Sequence, residues 1–284
     1  MKHALYACLF ATLALAACGD DGETSTQAAQ YSTTTAQAEA TGDEAIDAAV
    51  EQYDAFVEEN AASLSEATGT FVAAIDDGDL ERAKQLYPVT RAFFERIEPV
   101  AGAFGSLDPE IDAREGDVPK DEWTGFHPIE KALWVDETTD GLEDLTAELK
   151  VDTAKLEEVA DDGSFGAAEI AQGSVDLLGE VSASKITGEE ERYSHTDLWD
   201  FEANVEGAEA GFQALEPVIQ ESDPELASGI SDDFAATYAL LDGYRQGTDG
   251  FVLYDTLTKK DTQALAQQID ALAEELSQVP ALVG

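Results

Sequence analysis

His127 and Glu130 lie three positions apart and form the pair in this sequence best suited to hold a metal ion. Residues at positions i and i+3 of a helix face the same way, and an imidazole beside a carboxylate is a usual ligand pair for a transition metal. Pro128 favours the first position of a helix, which places His127 at its cap, directed over the first turn. The structural alternative is a capping or core histidine beside a solvated glutamate.

A second carboxylate pair with the same spacing, Glu95 and Glu98, lies upstream. In an acidic chain such a spacing arises easily by chance, although facing helices that each contribute Glu or His in this way do build metal sites inside bundles. Asp112 and Arg114 precede the His127 segment. Asp112 is a further candidate oxygen ligand, and Arg114 is a candidate cation to hold a ligand carboxylate in place.

His195 is the other histidine outside the N-terminal segment, and it follows a run of three glutamates. The three are Glu189, Glu190 and Glu191. The functional interpretation places one of them, with His195 or Asp197, in the same cleft as His127. The structural alternative is that the glutamates form the acidic first turn of a helix, where the helix dipole favours carboxylates.

The sequence contains none of several common catalytic motifs. The two zinc-peptidase patterns, His-Glu-x-x-His and His-x-x-Glu-His, fail at Pro128 and Lys131. A Gly-x-Ser-x-Gly elbow, a Walker loop and a dinucleotide fingerprint are also absent from the sequence. The residues therefore give no positive support for an enzyme.

The chain is strongly acidic, with 61 Asp plus Glu against 15 Lys plus Arg in 284 residues and a formal net charge of −46. This charge excludes nucleic acid as a natural partner. A hydrophobic fraction of 44% is that of a globular chain, so the acidity has not replaced the core. The dispersed acidic residues favour a high-salt environment, where screening reduces self-repulsion; a cation-collecting surface is the alternative.

The N-terminus resembles a bacterial lipoprotein signal peptide. A charged start precedes an apolar run, and Leu15-Ala16-Ala17-Cys18 resembles a lipobox. Cleavage removes residues 1–17, including Cys8, and leaves Cys18 as the lipidated N-terminal residue, so no thiolate metal site is expected. Residues 18–42 are predicted to be a flexible tether. The expected location is extracytoplasmic, on the periplasmic side, anchored to a membrane.

From residue 43 onward, apolar residues recur at spacings of three and four, which predicts amphipathic helices. A first stripe covers 45–57, and the pattern continues over 71–87, where the segment 76–79 breaks this second run. Pro88 is predicted to start or kink the next element, which covers 89–104. Irregular chain is then predicted as far as Gly125. Further helices are predicted over 128–134, 142–159, 167–184, 194–220, 224–245 and 257–276. These elements predict an all-α fold, as two bundles or one elongated bundle.

Several motifs occur in an order that matches one known family. They are Gly125-Phe126-His127-x-x-Glu130-Lys131-Ala132-Leu133-Trp134, Glu95-Arg96-Ile97-Glu98-Pro99, the stretches 181–190 and 193–201, and the ending Gly250-Phe251-Val252-x-Tyr254-Asp255-x-Leu257-Thr258. Together they resemble the imelysin-like iron-uptake lipoproteins EfeO and EfeM. The resemblance extends over roughly residues 43–284.

The resemblance implies an all-α, imelysin-like pair of helical bundles, roughly 43–160 and 161–284, with a metal-binding cleft between them. The metal residues that it implies are His127, Glu130, Glu95, Glu98, Asp112 and Glu189. It implies iron, as Fe2+ or Fe3+, as the cargo, with Zn2+ and Cu2+ as other candidate cations. The implied role is to deliver iron to an EfeU-like permease alongside an EfeB-like haem peroxidase.

The sequence departs from the family in two places. Many EfeO proteins carry an N-terminal cupredoxin domain, whereas here the tether alone separates Cys18 from the first helix, which predicts the short, EfeM-like form. Pro128 stands where the family more often has Arg. Two other functions stay open: an imelysin-type metallopeptidase with Glu130 as the base for a metal-bound water, and a protein that binds acidic polysaccharide through bridging metal ions.

Overall fold

The first predicted stripe, 45–57, and the second run as far as Ile75 lie in one long helix, α1 (Glu44–Asp76), in a computed structural model that describes residues 41–247 and 250–284. Asp43 caps this helix, because its carboxylate accepts hydrogen bonds from the backbone N–H groups of Ala45 and Ile46. One face of α1 is buried, with Tyr53 and Leu64 fully inaccessible. Burial of this apolar face, more than helix propensity, stabilises α1.

Nine further α-helices follow in the described ranges: α2 (Leu80–Ile97), α3 (Leu107–Asp112), α4 (Phe126–Lys131), α5 (Glu143–Asp162), α6 (Ala167–Ala183), α7 (Asp197–Ser222), α8 (Pro224–Leu241), α9 (Lys259–Leu276) and α10 (Pro280–Val283). Short 3₁₀ helices cover Glu98–Phe104, Lys185–Thr187, Asp242–Tyr244 and Tyr254–Thr256, and a π-helical turn, Ala132–Asp136, follows α4. Strands β1 (Arg245–Gln246) and β2 (Gly250–Phe251) pair antiparallel, with Arg245 opposite Phe251. The prediction of an all-α fold is confirmed.

The described helices share one hydrophobic core. Helix α7 packs against α1, α2, α6 and α8; α1 also packs against α2 and α5, and α9 packs against α6 and α8. Contacts of α7 with α1 and α2 join the two predicted halves, 43–160 and 161–284, whose division stays a prediction. The contact between α2 and α7 matters most for function, because both helices contribute charged side chains to one buried cluster.

Several predicted boundaries differ from the structure, among them the start of α4, which begins at Phe126 and so places His127 inside its first turn and not at its cap. Pro88 lies inside α2 and does not start an element, because the fully buried Tyr87 and Phe94 anchor the helix on both sides of it. Helix α3 forms where irregular chain was predicted. The helix predicted to reach Arg245 ends at Leu241, and the chain continues through a 3₁₀ turn into β1.

The predicted signal peptide, the lipidated Cys18 and residues 18–40 of the predicted tether lie outside the described residues. Among the helices of the described ranges, none combines the length and apolar composition needed to cross a bilayer.

Candidate metal centre

Gly125 brings the end of α3 against the start of α4. Its backbone, at φ 83° and ψ −151°, lies in a region that is essentially restricted to glycine. A Cβ at this position would lie 2.1 Å from the carbonyl oxygen of Ile111. Because the two backbones approach so closely, Asp112 lies beside His127, with 3.6 Å between Asp112 Oδ1 and His127 Nε2.

We expect Gly125→Ala to lower the free energy of unfolding by about 2–5 kcal/mol, because the added methyl group meets the Ile111 carbonyl and the backbone must leave its glycine-only conformation. Urea unfolding of both proteins measures this difference. The matched control is Gly102→Ala: Gly102 is exposed, and a Cβ there meets no atom within 4 Å. Equal stability of the Gly125→Ala and wild-type proteins would contradict the proposed role of this close approach.

Glu130 fixes the ring of His127. The two residues lie in the first turns of α4, and Glu130 Oε2 is 3.3 Å from His127 Nδ1. The other carboxylate oxygen, Oε1, accepts the backbone N–H groups of Tyr193 at 2.8 Å and of Ser194 at 2.7 Å. Both oxygens of Glu130 are therefore engaged. A carboxylate that holds Nδ1–H in this way sets the tautomer and leaves Nε2 free to bind a metal ion.

Nε2 of His127 is the atom around which the candidate centre is built. It is buried, and it has no hydrogen-bond partner among the residues that the structure describes. Asp112 Oδ1 lies 3.6 Å away and Glu190 Oε1 lies 3.9 Å away. The potential ligand atoms of these three residues are all within 4.8 Å of one another. Metal–ligand bonds of about 2.0–2.2 Å require only small movements of the side chains from this arrangement.

The electrostatic environment of His127 favours a positive charge. Burial and the neighbouring Arg91 lower the pKa of the imidazole, but the nearby carboxylates of Asp112 and Glu130 more than offset them and raise that pKa to about 10. The same charges act on the ligand carboxylate: although burial opposes it, Arg91 and His127 hold the pKa of Asp112 well below its usual range. The negative potential that stabilises a proton on Nε2 would also stabilise a metal cation bound there.

Arg91 is the central cation of the cluster, and it was not among the residues predicted for the site. Its side chain is fully buried in α2. The guanidinium contacts Glu95, Asp112 and Glu191 directly and lies 3.4 Å from Glu190 and from Asp200. The spacing of four between Arg91 and Glu95 was the one available signal, since such residues are neighbours on a helix.

The predicted pair Glu95 and Glu98 binds a lysine that the sequence did not single out. Lys185 Nζ lies 2.9 Å from Glu95 Oε2 and 2.6 Å from Glu98 Oε2. Although burial opposes it, Lys185 and Arg91 lower the pKa of Glu95. Burial and the like charges of Glu95 and Glu190 raise the pKa of Glu98 well above its usual range. Glu98 is therefore the member of the pair that holds a proton more readily.

Of the three consecutive glutamates, the structure directs Glu190 to His127 and not the predicted Glu189. Glu189 is on the surface, with 61% of its side chain exposed, and pairs with Arg192 at 3.1 Å. Glu190 is buried, and Arg114 Nη1 holds its Oε2 at 3.1 Å. The orienting role predicted for Arg114 therefore acts on Glu190, and we replace Glu189 by Glu190 in the candidate ligand set.

Glu191 belongs to a second candidate group, with His127 and Glu130. It is fully buried; its Oε2 accepts a hydrogen bond from Ser194 Oγ at 2.9 Å, and Tyr87 donates its hydroxyl to Oε1 at 3.3 Å. Since Glu130 already engages Nδ1 of the imidazole, the first group, with Asp112 and Glu190, is the better candidate for an ion.

His195 and Asp197 lie at the end of the loop that joins Thr187 to α7, and neither belongs to a candidate group. His195 has a left-handed backbone, at φ 58°, directly after Ser194. Asp197 Oδ1 accepts the backbone N–H of Glu191 at 3.2 Å. Both residues thus help to turn the backbone amides of residues 193 and 194 towards Glu130.

The cluster opens to solvent on one side. A cavity of about 240 Å³ reaches Asp112, Glu190, Lys185 and Glu98. Asp112 is 12% exposed, whereas His127 is 2% exposed. A cation can therefore reach the centre past Asp112.

Negative groups outnumber positive ones in this cluster. The buried or half-buried carboxylates are Glu95, Glu98, Asp112, Glu130, Glu190, Glu191, Asp197 and Asp200, and the cationic side chains among them are Arg91, Arg114 and Lys185. Buried charges are stable only when they are paired or bind metal ions. The fold and the site together define an all-α protein with a buried histidine–carboxylate centre suited to a cation.

Comparison with known proteins identifies the family. The imelysin family model matches residues 49–279. An "Efem/EfeO family lipoprotein" of Staphylococcus haemolyticus (strain JCSC1435) is 46% identical over 222 residues, which are 75% of this chain and 76% of the relative. A protein of the same description from Staphylococcus aureus (strain NCTC 8325 / PS 47) is 44% identical over 219 residues, 75% of this chain and 77% of the relative. The chain belongs to the EfeM/EfeO family of imelysin-like proteins, as its motifs predicted.

Proposed function

We propose that this protein is a lipid-anchored, extracytoplasmic iron-binding component of an EfeUOB-type uptake system. The observation that carries the proposal is the buried Nε2 of His127, which faces Asp112 and Glu190 and has no hydrogen-bond partner in the described part of the chain. The lipobox-like Cys18 and the lipoprotein names of the relatives support the anchor. Iron is the cargo, not a resident cofactor.

The donor set suits iron. One imidazole with carboxylate oxygens suits Fe2+ or Fe3+, and the expected lack of a thiolate ligand disfavours Cu+. Zn2+ and Cu2+ bind similar donors, often more tightly, so availability as well as geometry decides which metal ion is carried.

The opening past Asp112 suits a protein that must release what it binds. A carrier delivers its ion to a second protein, and a site sealed on all sides would hold it too long. We propose an EfeU-like iron permease as the recipient and an EfeB-like haem peroxidase as a further component of the system, on the basis of family membership.

The geometry favours binding over peptide hydrolysis. A metallopeptidase needs a carboxylate that is free to take a proton from a metal-bound water. Glu130, the candidate base, already uses Oε1 for two backbone N–H groups and Oε2 for His127. The peptidase alternative therefore lacks an available base at this residue.

Calorimetric titration of the mature protein with Fe2+, Fe3+, Zn2+ and Cu2+ tests the proposal. High salt in the buffer suppresses loose binding to surface carboxylates. We expect one saturable iron site, and Glu130→Gln is expected to weaken it by about 10–100-fold, the usual effect of losing the partner of a ligand histidine. The glutamine amide would donate to Nδ1 and leave the imidazole proton on Nε2, where it blocks the metal ion.

Glu189→Gln is the matched control, because it removes the same charge from the surface neighbour of Glu190. It should leave the dissociation constant unchanged. Iron binding that is absent, or equally affected by both substitutions, would reject the His127 centre as the iron site, and peptide turnover by the metal-loaded protein would then be measured.

A further inference from the structure

Lys185 is buried in the cluster, and its ammonium group faces three carboxylates, whereas an ordinary ion pair has one. It begins the 3₁₀ turn after α6 and is only 5% exposed. Its ammonium nitrogen lies 2.6 Å from Glu98 Oε2, 2.9 Å from Glu95 Oε2 and 3.9 Å from Glu190 Oε2. Three carboxylates from two segments of the chain, the end of α2 and the loop that carries Glu190, thus converge on one cationic atom.

Asn204 holds this arrangement from the opposite side. Its Nδ2 donates to the same oxygens, Glu95 Oε2 at 2.9 Å and Glu98 Oε2 at 2.7 Å. Its Oδ1 is buried and has no hydrogen-bond partner among the residues described. Rotation of the amide would direct that oxygen, an acceptor, to the place where Nδ2 now points. The surroundings of the Lys185 ammonium therefore contain the oxygen donors of a cation site.

Glu190 links this place to His127. Its Oε1 faces His127 Nε2 at 3.9 Å, whereas its Oε2 faces Lys185 and is bound by Arg114 at 3.1 Å. A carboxylate shared in this way is typical of centres that hold two cations side by side. In this protein one of the two places contains the lysine.

We propose that Lys185 is a tethered cation that fills a second metal subsite, formed by Glu95, Glu98 and Glu190, so that the centre binds one metal ion. The inference rests on the proposed metal binding at His127 and adds the number of ions to it. An ammonium group supplies one positive charge and cannot exchange with solution ions. By competing for Glu190 it also weakens the hold of that carboxylate on the metal ion at His127, which favours release.

The test is the number of Fe2+ ions bound per chain, measured by anaerobic equilibrium dialysis in high salt followed by elemental analysis. The wild-type protein is expected to bind one ion and Lys185→Gln two. Lys185→Arg, which keeps the positive charge, is expected to bind one. Adding Glu98→Gln to Lys185→Gln removes a carboxylate of the new subsite and should return the number to one.

The double variant His127→Ala/Lys185→Gln separates this inference from the proposed function. It should bind one ion, in the opened subsite alone. If the wild-type protein binds none and this double variant binds one, the His127 site fails and the assignment of the Lys185 subsite stands. If the wild-type protein and Lys185→Gln each bind one ion, the inference fails and the proposed function stands.

Circular dichroism shows whether Lys185→Gln folds. If it does not fold, two other results can still overturn the inference. One is two Fe2+ ions bound by the wild-type protein, since a lysine that fills the subsite leaves no room for the second. The other is two ions bound by Lys185→Arg, in which the positive charge is retained.

Discussion

His127→Ala is expected to abolish saturable iron binding, with the dissociation constant rising by at least about a hundredfold. The substitution removes the one nitrogen donor of the candidate centre, and with it the group that Asp112 and Glu190 face. Carboxylates that lose such a partner remain close to Arg91, which satisfies Asp112 without a metal ion. Loss of a residue that only holds a ligand in place reduces metal affinity by about 10–100-fold, so the loss of the ligand itself should exceed that range.

The matched control for this prediction is the other described histidine. His195 lies outside both candidate groups and has a left-handed backbone at φ 58°, so His195→Asn is preferred to alanine because asparagine tolerates that conformation. Titration calorimetry with Fe2+ in high salt should show wild-type affinity for His195→Asn. Retained binding in His127→Ala, or equal losses in both variants, would exclude Nε2 of His127 as an iron ligand.

Arg91→Met is expected to lower the free energy of unfolding by about 3–5 kcal/mol, the usual result of removing one partner from a buried ion pair. The side chain is fully buried and contacts Glu95, Asp112 and Glu191, and each of these carboxylates would lose that positive partner. For a chain of this size, that loss corresponds to a fall of about 10 °C in the melting temperature.

Arg82→Met is the control for the Arg91 substitution, because Arg82 lies on the same helix and is exposed. Its effect should stay within about 0.5 kcal/mol. Thermal and urea unfolding in the absence of metal ions measure both variants. A stable Arg91→Met protein would show that the carboxylates neutralise one another by sharing protons, and that Arg91 is not needed as their counter-charge.

Together, these variants separate two tasks that we propose for the cluster, charge compensation and metal binding. Arg91 has five carboxylate neighbours and makes the buried acidity compatible with folding. His127 lies at the edge of that network and faces the side from which Asp112 is reached by solvent. We therefore expect folding to depend mostly on Arg91 and Lys185, and the proposed metal binding to depend on the imidazole. We expect the Arg91 variant to lose stability first and the His127 variant to lose iron first.

The sequence predicted what depends on local spacing. Repeats of three and four predicted the helices, because burial of one face selects that period. The same spacing predicted that His127 and Glu130 are neighbours in one turn, and the structure has them 3.3 Å apart. Asp112 was nominated from its place in the chain and lies beside His127. The motif order identified the family.

Tertiary structure alone decided which other charges meet His127. The choice among three adjacent glutamates depends on the direction of each side chain in a loop, and that direction is set by distant partners: Arg114 binds Glu190, and Glu130 accepts the amides of residues 193 and 194. Most contacts of Arg91 and Lys185 with the carboxylates of the cluster also join residues that are far apart in the chain. A local pattern fixes which residues share one helical turn, but a buried cluster of opposite charges forms only when several segments pack together, because its energy depends on all of their distances at once.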